Sequence, residues 1–258
     1  MSFIQFIADY GKNDPSFAEV MQRLVLEVPG VLVKDTSVHP FSTIETGFWT
    51  AQFALAPAPG GTIVYTNCAP RKDKSEARKD NEGEKLVYAI LDNGVEVVGV
   101  NAGYCFSFVK NHIDELWDVD VKNSGSQFRS RDFYPEIVGK IYKGNYSFKK
   151  GELDKKIIPD YPKDQIVAID GYGNIKTAYK KNVVEGLEPG KTLKVKIGGQ
   201  VHTAYFADGT FSVGEGELAF AEGSSGYDGA FMELFLRGAS AERRFDFPKP
   251  GDQVELIF

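Results

Sequence analysis

Histidine and cysteine are scarce. The 258-residue chain has three histidines, His39, His112 and His202, and two cysteines, Cys68 and Cys105. Two cysteines build neither a disulfide framework nor a Cys-rich zinc site, so they are expected to be reduced thiols of a cytoplasmic protein. The histidines are scattered, with no HExxH, and no protein-ligated metal is expected. Apolar runs are strand-sized, too short for a membrane-spanning helix. The opening "MSFIQFIADYG" lacks a basic region and reaches an aspartate early, which does not fit a signal peptide. Positive charge is not in excess: 36 acids against 30 bases give a net charge of −6, which argues against a nucleic-acid partner. Neither GxGxxG nor a P-loop occurs, and there are no internal repeats. What remains is a soluble, globular composition long enough for two domains.

The first half alternates strand-like and helix-like segments. "FIQFIAD" is a short apolar run closed by the turn cluster "YGKND". "PSFAEVMQRLVLEV" places Phe17, Met21, Leu24 and Val25 on one helical face, with Pro15 in the first turn. "GVLVKDTS", "TIVYTN", "KLVYAILDNG" and "VEVVGVNAG" read as strands, and "TIETGFWTAQFALA" and "FSFVKNHIDELW" as helices. That alternation predicts an α/β domain with a mostly parallel sheet. Ligands of such sheets sit outside the carboxyl ends of the strands, here marked by Asp9, Asn67 and Asn101. The charged stretch from Tyr142 to Gln165 reads as a linker. Later segments are short strands with glycine-rich turns, which predicts a small antiparallel β-barrel. The expected division is 1–150, a linker at 151–163, and 164–258.

Four stretches carry candidate chemistry. "ADYGKNDPSF" offers Asp9, Asp14 and Ser16 as a carboxylate cradle for a cationic or hydroxyl-rich ligand; Asp14 and Ser16 equally suit a helix N-terminus. "SQFRSRDFYP" holds Arg129, Ser130 and Arg131, either an anion clamp or a solvated charged segment. "AIDGYGN" sets Asp170, Tyr172 and Asn174 around glycines, in a pattern shared with tight hairpins. "AEGSSGYDGAF" is a glycine–serine loop open to close approach by a ligand. In "TNCAPRKDK", Cys68 reads either as a nucleophile or as a buried structural thiol, with no partner base nearby in sequence.

Taken in order from Phe6 to Ala241, these pieces resemble the SAM hydroxide adenosyltransferases and their fluorinase and chlorinase relatives. "FIADYGKNDPSF" resembles the family's "TDFG-x-x-D-x-(Y/S)", "GTIVYTNCAP" its "GTVxxxVVDPGVG", and "FRSRDFYP" its "FHGRDxFAP". "VAIDGYGNIKTAY" is similar to "xxxDxFGNxxTN". "AYFADGTFSVGEGELAFAEGSSGY" and "ELFLRGASA" are similar to the closing motifs. The resemblance implies a homotrimer binding S-adenosylmethionine (SAM) between the N-terminal domain of one subunit and the C-terminal domain of the next. It implies Asp9 on the ribose hydroxyls, and Asp14, Ser16, Asp170, Ser224 and Ser225 around the methionine end. Phe41 and Phe206 would line the adenosine pocket, with Tyr172 and Asn174 completing the base and interface side. It also marks departures. Ala69 stands where the family's water-positioning aspartate is expected, and Arg129 where its histidine is. Arg78 is the displaced candidate for its arginine, and Arg71, Lys72 and Asp73 replace a small glycine turn. Ser130 matches the serine that the fluorinase presents to halide, so Arg129 and Ser130 are the expected catalytic residues. The implied reaction displaces methionine at C5′ of SAM with a small nucleophile, water by default. The alternative is a non-catalytic SAM or adenosine binder.

Overall fold

The computed structural model describes residues 3–72, 75–78, 82–226 and 229–258. The chain forms two compact units, Met1–Tyr161 and Pro162–Phe258. The stretch expected as a linker carries a strand at Lys149–Glu152, and Tyr161 stacks on Phe108 within the first unit.

In the first unit, strands β1 (Phe3–Ala8), β2 (Leu32–Ser37), β3 (Ile63–Asn67), β4 (Leu86–Leu91), β5 (Glu96–Val100), β6 (Ile113–Val119) and β7 (Lys149–Glu152) form one sheet. Their order is β2-β1-β3-β5-β4-β6-β7. Helix α1 (Pro15–Glu27) connects β1 to β2, and α2 (Thr43–Ala54) carries the chain back past β1 to β3. The strand order therefore reverses between β1 and β3, where sheets of this kind leave a crevice at their carboxyl ends. Helices cover both faces. Phe6 and Tyr65 lie side by side on one, stacked at 4.9 Å, with Phe17 of α1 edge-on to Phe6 at 5.5 Å. Cys68, following β3, meets Thr46 of α2. Two further short helices, α3 (Arg129–Asp132) and α4 (Tyr134–Tyr142), precede β7, and α4 packs on α1.

The sheet is mixed rather than mostly parallel. β1/β2, β1/β3 and β3/β5 are parallel, whereas β4/β5, β4/β6 and β6/β7 are antiparallel. The cause lies in two short segments. "LDNGVE" turns β4 into β5 through Gly94 at φ 80°, with Asn93 Oδ1 accepting from Val95 N; so tight a turn permits only antiparallel pairing. Residues 113–117, expected as the end of a helix, belong to strand β6. Ile113, Leu116 and Val119 are its buried positions, a spacing that imitates a helix. A register shift opposite Ile90 and Leu91 breaks the strand's two-residue alternation and creates that spacing.

The second unit holds β8 (Ile166–Ile169), β9 (Ile175–Lys180), β10 (Thr192–Ile197), β11 (Gln200–Phe206), β12 (Leu218–Glu222), β13 (Phe231–Leu236) and β14 (Val254–Ile257). They run in the order β14-β10-β11-β12-β13-β9-β8 around Ile166, Ile175, Val195, Phe220 and Leu234. All pairs are antiparallel except β11/β12. The expected barrel is a curled half-barrel: among the described residues β8 and β14 share no ladder, and only the isolated Gln165–Gln253 bridge and neighbouring bonds such as Ile166 N to Asp252 O at 2.9 Å link the two ends of the sheet. A four-residue helix, α5 (Ala241–Arg244), packs against β13.

Close packing under the crevice yields a test. A Cβ on Gly47 of α2 would stand 2.1 Å from the Tyr104 carbonyl oxygen. In an open helix Gly→Ala stabilises by roughly 0.5–1 kcal/mol. Here overpacking against backbone reverses the sign, and Gly47→Ala should cost about 1–3 kcal/mol in denaturant unfolding. An unchanged or raised midpoint would contradict this packing.

Candidate functional site

The carboxyl ends of β1, β3 and β5 open into a cleft of about 510 Å³ within the first unit, a volume typical of small-molecule sites. It is lined by Asp9, Asp14, Ser16, Phe41, Asn67, Ala69, Arg71, Arg129 and Ser130, among others. Asn101, also expected at a strand end, is not part of the lining, although its neighbour Val100 is.

Asp9 is the fixed point. Parallel pairing of Ala8 with Asn67 sets it at the sheet edge, and its N–H donates to the Asn67 carbonyl at 3.3 Å. Its Oδ2 accepts the Phe41 N–H at 3.0 Å. Phe41 stands at φ 64°, a left-handed conformation that costs a bulky residue energy. The loop is held there from both sides, because Glu45 Oε2 accepts the His39 N–H at 2.7 Å. Burial raises the Asp9 carboxyl above the ordinary aspartate value; the Phe41 N–H, the Cys68 thiol and the Arg71 charge oppose the rise. A carboxylate so placed is short of partners and suits a pair of hydroxyls or a cation.

Asp14 and Ser16 line the same cleft and also cap α1. Asp14 Oδ1 accepts the Ser16 N–H at 2.8 Å, and the Ser16 hydroxyl and N–H hold its carboxyl below the usual range. The helix-cap and ligand readings of these residues therefore coexist.

Cys68 is buried. The Cys105 thiol beside it and its burial push its pKa far up, so it is a thiol rather than a thiolate nucleophile. Beyond it, Arg71 lines the cleft at φ 60°, the conformation that a glycine turn adopts without strain. The Glu84 carboxylate, accepting the Arg71 N–H at 2.9 Å, holds it there. Lys72 is exposed outside the lining, and Asp73 lies outside the described residues.

The "RSRD" segment divides in two. Arg129 faces the cleft; its guanidinium occupies the space where a Gly83 side chain would be, and it hydrogen-bonds the Tyr134 hydroxyl. Arg131 instead bridges Glu19 of α1 at 2.5 Å and Asp132 at 2.7 Å. Residues two apart on a helix point to opposite sides, so the two arginines form no clamp. Ser130 is 5% exposed. Its Oγ accepts from the Tyr10 hydroxyl at 2.7 Å, and its carbonyl from the Tyr65 hydroxyl at 2.9 Å.

The remaining expected residues lie in the second unit. Asp170 caps its own hairpin: Oδ1 accepts the N–H groups of Tyr172 and Asn174, and Oδ2 accepts from Asn174 Nδ2. Tyr172 is 85% exposed. Ser225 is buried, with its carbonyl accepting the Phe231 N–H. The Ser224 N–H donates to Glu233. Phe206 borders a separate cavity of about 450 Å³ with Tyr205, Asp208 and Glu217.

Sequence reasoning passed over Tyr10, Tyr134 and Glu84 in the cleft, Tyr65 in the core behind Ser130, and a buried pair in the second unit. Lys176 Nζ lies 2.6 Å from Glu233 Oε1, and both side chains are almost wholly buried. Gly223 is needed above them, since a Cβ there would sit 1.9 Å from Glu233 Oε1. Tyr10, adjacent to Asp9 and inside its motif, was findable; a lysine and a glutamate 57 residues apart carry no such signal. Among the described residues no group of three or more His, Cys, Asp or Glu is placed to hold a metal, and no helix is long and apolar enough to cross a membrane.

The class of fold is that of two solved structures. An uncharacterized conserved protein from Thermotoga maritima has a TM-score of 0.79 at 17% identity, covering 98% of this chain and 100% of that one. A conserved hypothetical protein from Thermus thermophilus has a TM-score of 0.69 at 18% identity, covering 100% of both. Residues 164–255 match the SAM hydroxide adenosyltransferase C-terminal domain. The family model thus supports the resemblance over residues 164–255, and the two solved structures support the fold of the chain. The matched region contains Asp170, Tyr172, Asn174, Phe206, Ser224 and Ser225. No curated protein matches the chain.

The buried Asp9 carboxyl gives a pH test. Its folded pKa lies above the ordinary 3.8, so the protonated form is the better folded species. Asp9 therefore favours folding at pH below its unfolded pKa, and that contribution is lost as pH rises through the folded pKa. Asp9→Asn should raise the melting temperature of ligand-free protein at pH 7 and flatten its acid-range dependence. A lower melting temperature at pH 7 would contradict the assignment.

Proposed function

We propose that this protein binds SAM and displaces methionine from its C5′ carbon with a small nucleophile, water by default. The match of residues 164–255 to the SAM hydroxide adenosyltransferase C-terminal domain carries the reading. The first-unit cleft supports it, because Asp9 offers a carboxylate short of partners and Asp14 a second carboxylate. SAM brings vicinal hydroxyls, a sulfonium and an ammonium, the groups that such carboxylates favour. In this reading Asp9 takes the ribose hydroxyls, Phe41 packs on the adenosine, and Asp14 and Ser16 face the methionine end. The protein is a homotrimer, and Asp170, Tyr172, Asn174, Phe206, Ser224 and Ser225 of a neighbouring subunit complete the binding.

The chemistry is an in-line displacement. The C5′–S bond breaks with its electron pair passing to sulfur, so the sulfonium leaves as neutral methionine. A lone pair of water forms the C5′–O bond, and the water's proton is released. The cleft must hold that water behind C5′ at about 3–3.5 Å, partly dehydrated. Arg129 and Ser130 are the groups assigned to it.

A second reading, a non-catalytic SAM or adenosine binder, is favoured by one specific observation. Ala69 lines the cleft where the resemblance places the water-positioning aspartate, and its methyl polarises nothing. Incubation with SAM, followed by chromatography for adenosine, methionine and 5′-halogenated adenosine, separates the two. Turnover with water is expected, and Ser130→Ala should slow it about tenfold, the equivalent of one hydrogen bond. Tight SAM binding with no product from water, chloride or fluoride would establish the binder instead.

A further inference from the structure

We propose that Tyr10 is a positioning residue that turns Ser130 into a one-way hydrogen-bond donor, so that the group held beside it must be an acceptor: an anion or the lone pair of a neutral oxygen. The proposal rests on the SAM-displacement reading for the role of that group, but its geometry is independent of it.

Two hydroxyls 2.7 Å apart share one proton between them, and the partners are unequal. A phenol delocalises its lone pair into the ring, which makes it the better donor and the poorer acceptor. Tyr10 therefore donates, and the Ser130 proton must turn elsewhere. Among the described residues no acceptor for Ser130 Oγ lies within hydrogen-bonding reach, and a serine in this state, 5% exposed and lining the cleft, has only the cleft as an outlet. The backbone that carries the serine is anchored. Its carbonyl is fixed by the Tyr65 hydroxyl, and Tyr65 is itself wholly buried against Phe6. Tyr10 is also immobile, with Phe17 at 5.2 Å and Phe128 at 5.6 Å in edge contact. Burial raises both tyrosine pKa values, so both remain protonated donors across the physiological range. The cleft offers partners of both signs, with Arg71, Arg78 and Arg129 beside Asp9, Asp14, Glu76, Glu82 and Glu84, so the direction of the Ser130 hydroxyl selects what is held next to it.

Tyr10→Phe removes the one hydroxyl and keeps the ring contacts, so the melting temperature should stay within about 3 °C of wild type. Freed of its donor, Ser130 can rotate and accept as well as donate. In turnover of SAM, the variant should lower kcat about five- to tenfold with KM for SAM within about twofold, because Tyr10 acts on the nucleophile rather than on SAM. Tyr10→Phe combined with Ser130→Ala should be no slower than Ser130→Ala alone, since one residue acts through the other. Equal kcat for Tyr10→Phe and wild type, or additive losses in the double variant, would overturn the proposal. A readout without turnover keeps it separate from the SAM reading. In crystals soaked in bromide, anomalous scattering should place an ion within hydrogen-bonding distance of Ser130 Oγ in wild type and lose it in Tyr10→Phe. An ion present in both or in neither overturns the Tyr10 role, whatever becomes of SAM.

Discussion

A carboxylate at the end of a buried parallel strand has to find hydrogen bonds at once, and in this protein that need shapes the cleft. Asp9 is too enclosed to be solvated fully, and its hydrogen bonds come from backbone N–H groups and the Cys68 thiol, with the Arg71 charge nearby. It takes the Phe41 N–H, which holds Phe41 in a left-handed conformation that the residue would not choose. The Phe41 loop is in turn tied to the N-terminal end of α2 through His39 and Glu45. The remaining shortfall at Asp9 is what a ligand with paired hydroxyls would relieve. The site is thus organised before a ligand arrives, and the strain it holds is offset by packing elsewhere.

Another part of the lining follows a different logic. Arg71, Glu84, Arg129 and Tyr134 form a charged, hydrogen-bonded side, where the resemblance leads one to expect a small glycine turn. Arg71 keeps a glycine's backbone angle without being a glycine, because Glu84 grips its N–H. Cys68, the eye-catching residue of that stretch, is a core thiol.

Six residues singled out in the sequence, Asp9, Asp14, Ser16, Phe41, Arg129 and Ser130, all line one cavity. The six second-unit residues were legible only as motif matches, and within that unit Asp170 is engaged by its own turn. Less of the fold could be read. The bulge opposite Ile90 gave β6 a helix-like spacing, and the Asp92–Gly94 turn hid the switch from parallel to antiparallel pairing. Lys176 alternates with apolar residues in β9 and reads as a solvent-facing lysine, although it is buried against Glu233. Pairings of this kind depend on which strands become neighbours, which local sequence does not encode.

In the proposed function, SAM is recognised through the Asp9 carboxylate. Calorimetric titration of SAM into the wild-type protein and into Asp9→Ala tests it most directly. Saturable binding with one SAM per chain, lost in the variant, is the predicted result. Heats indistinguishable from dilution in the wild type, or equal affinity in both proteins, would contradict it.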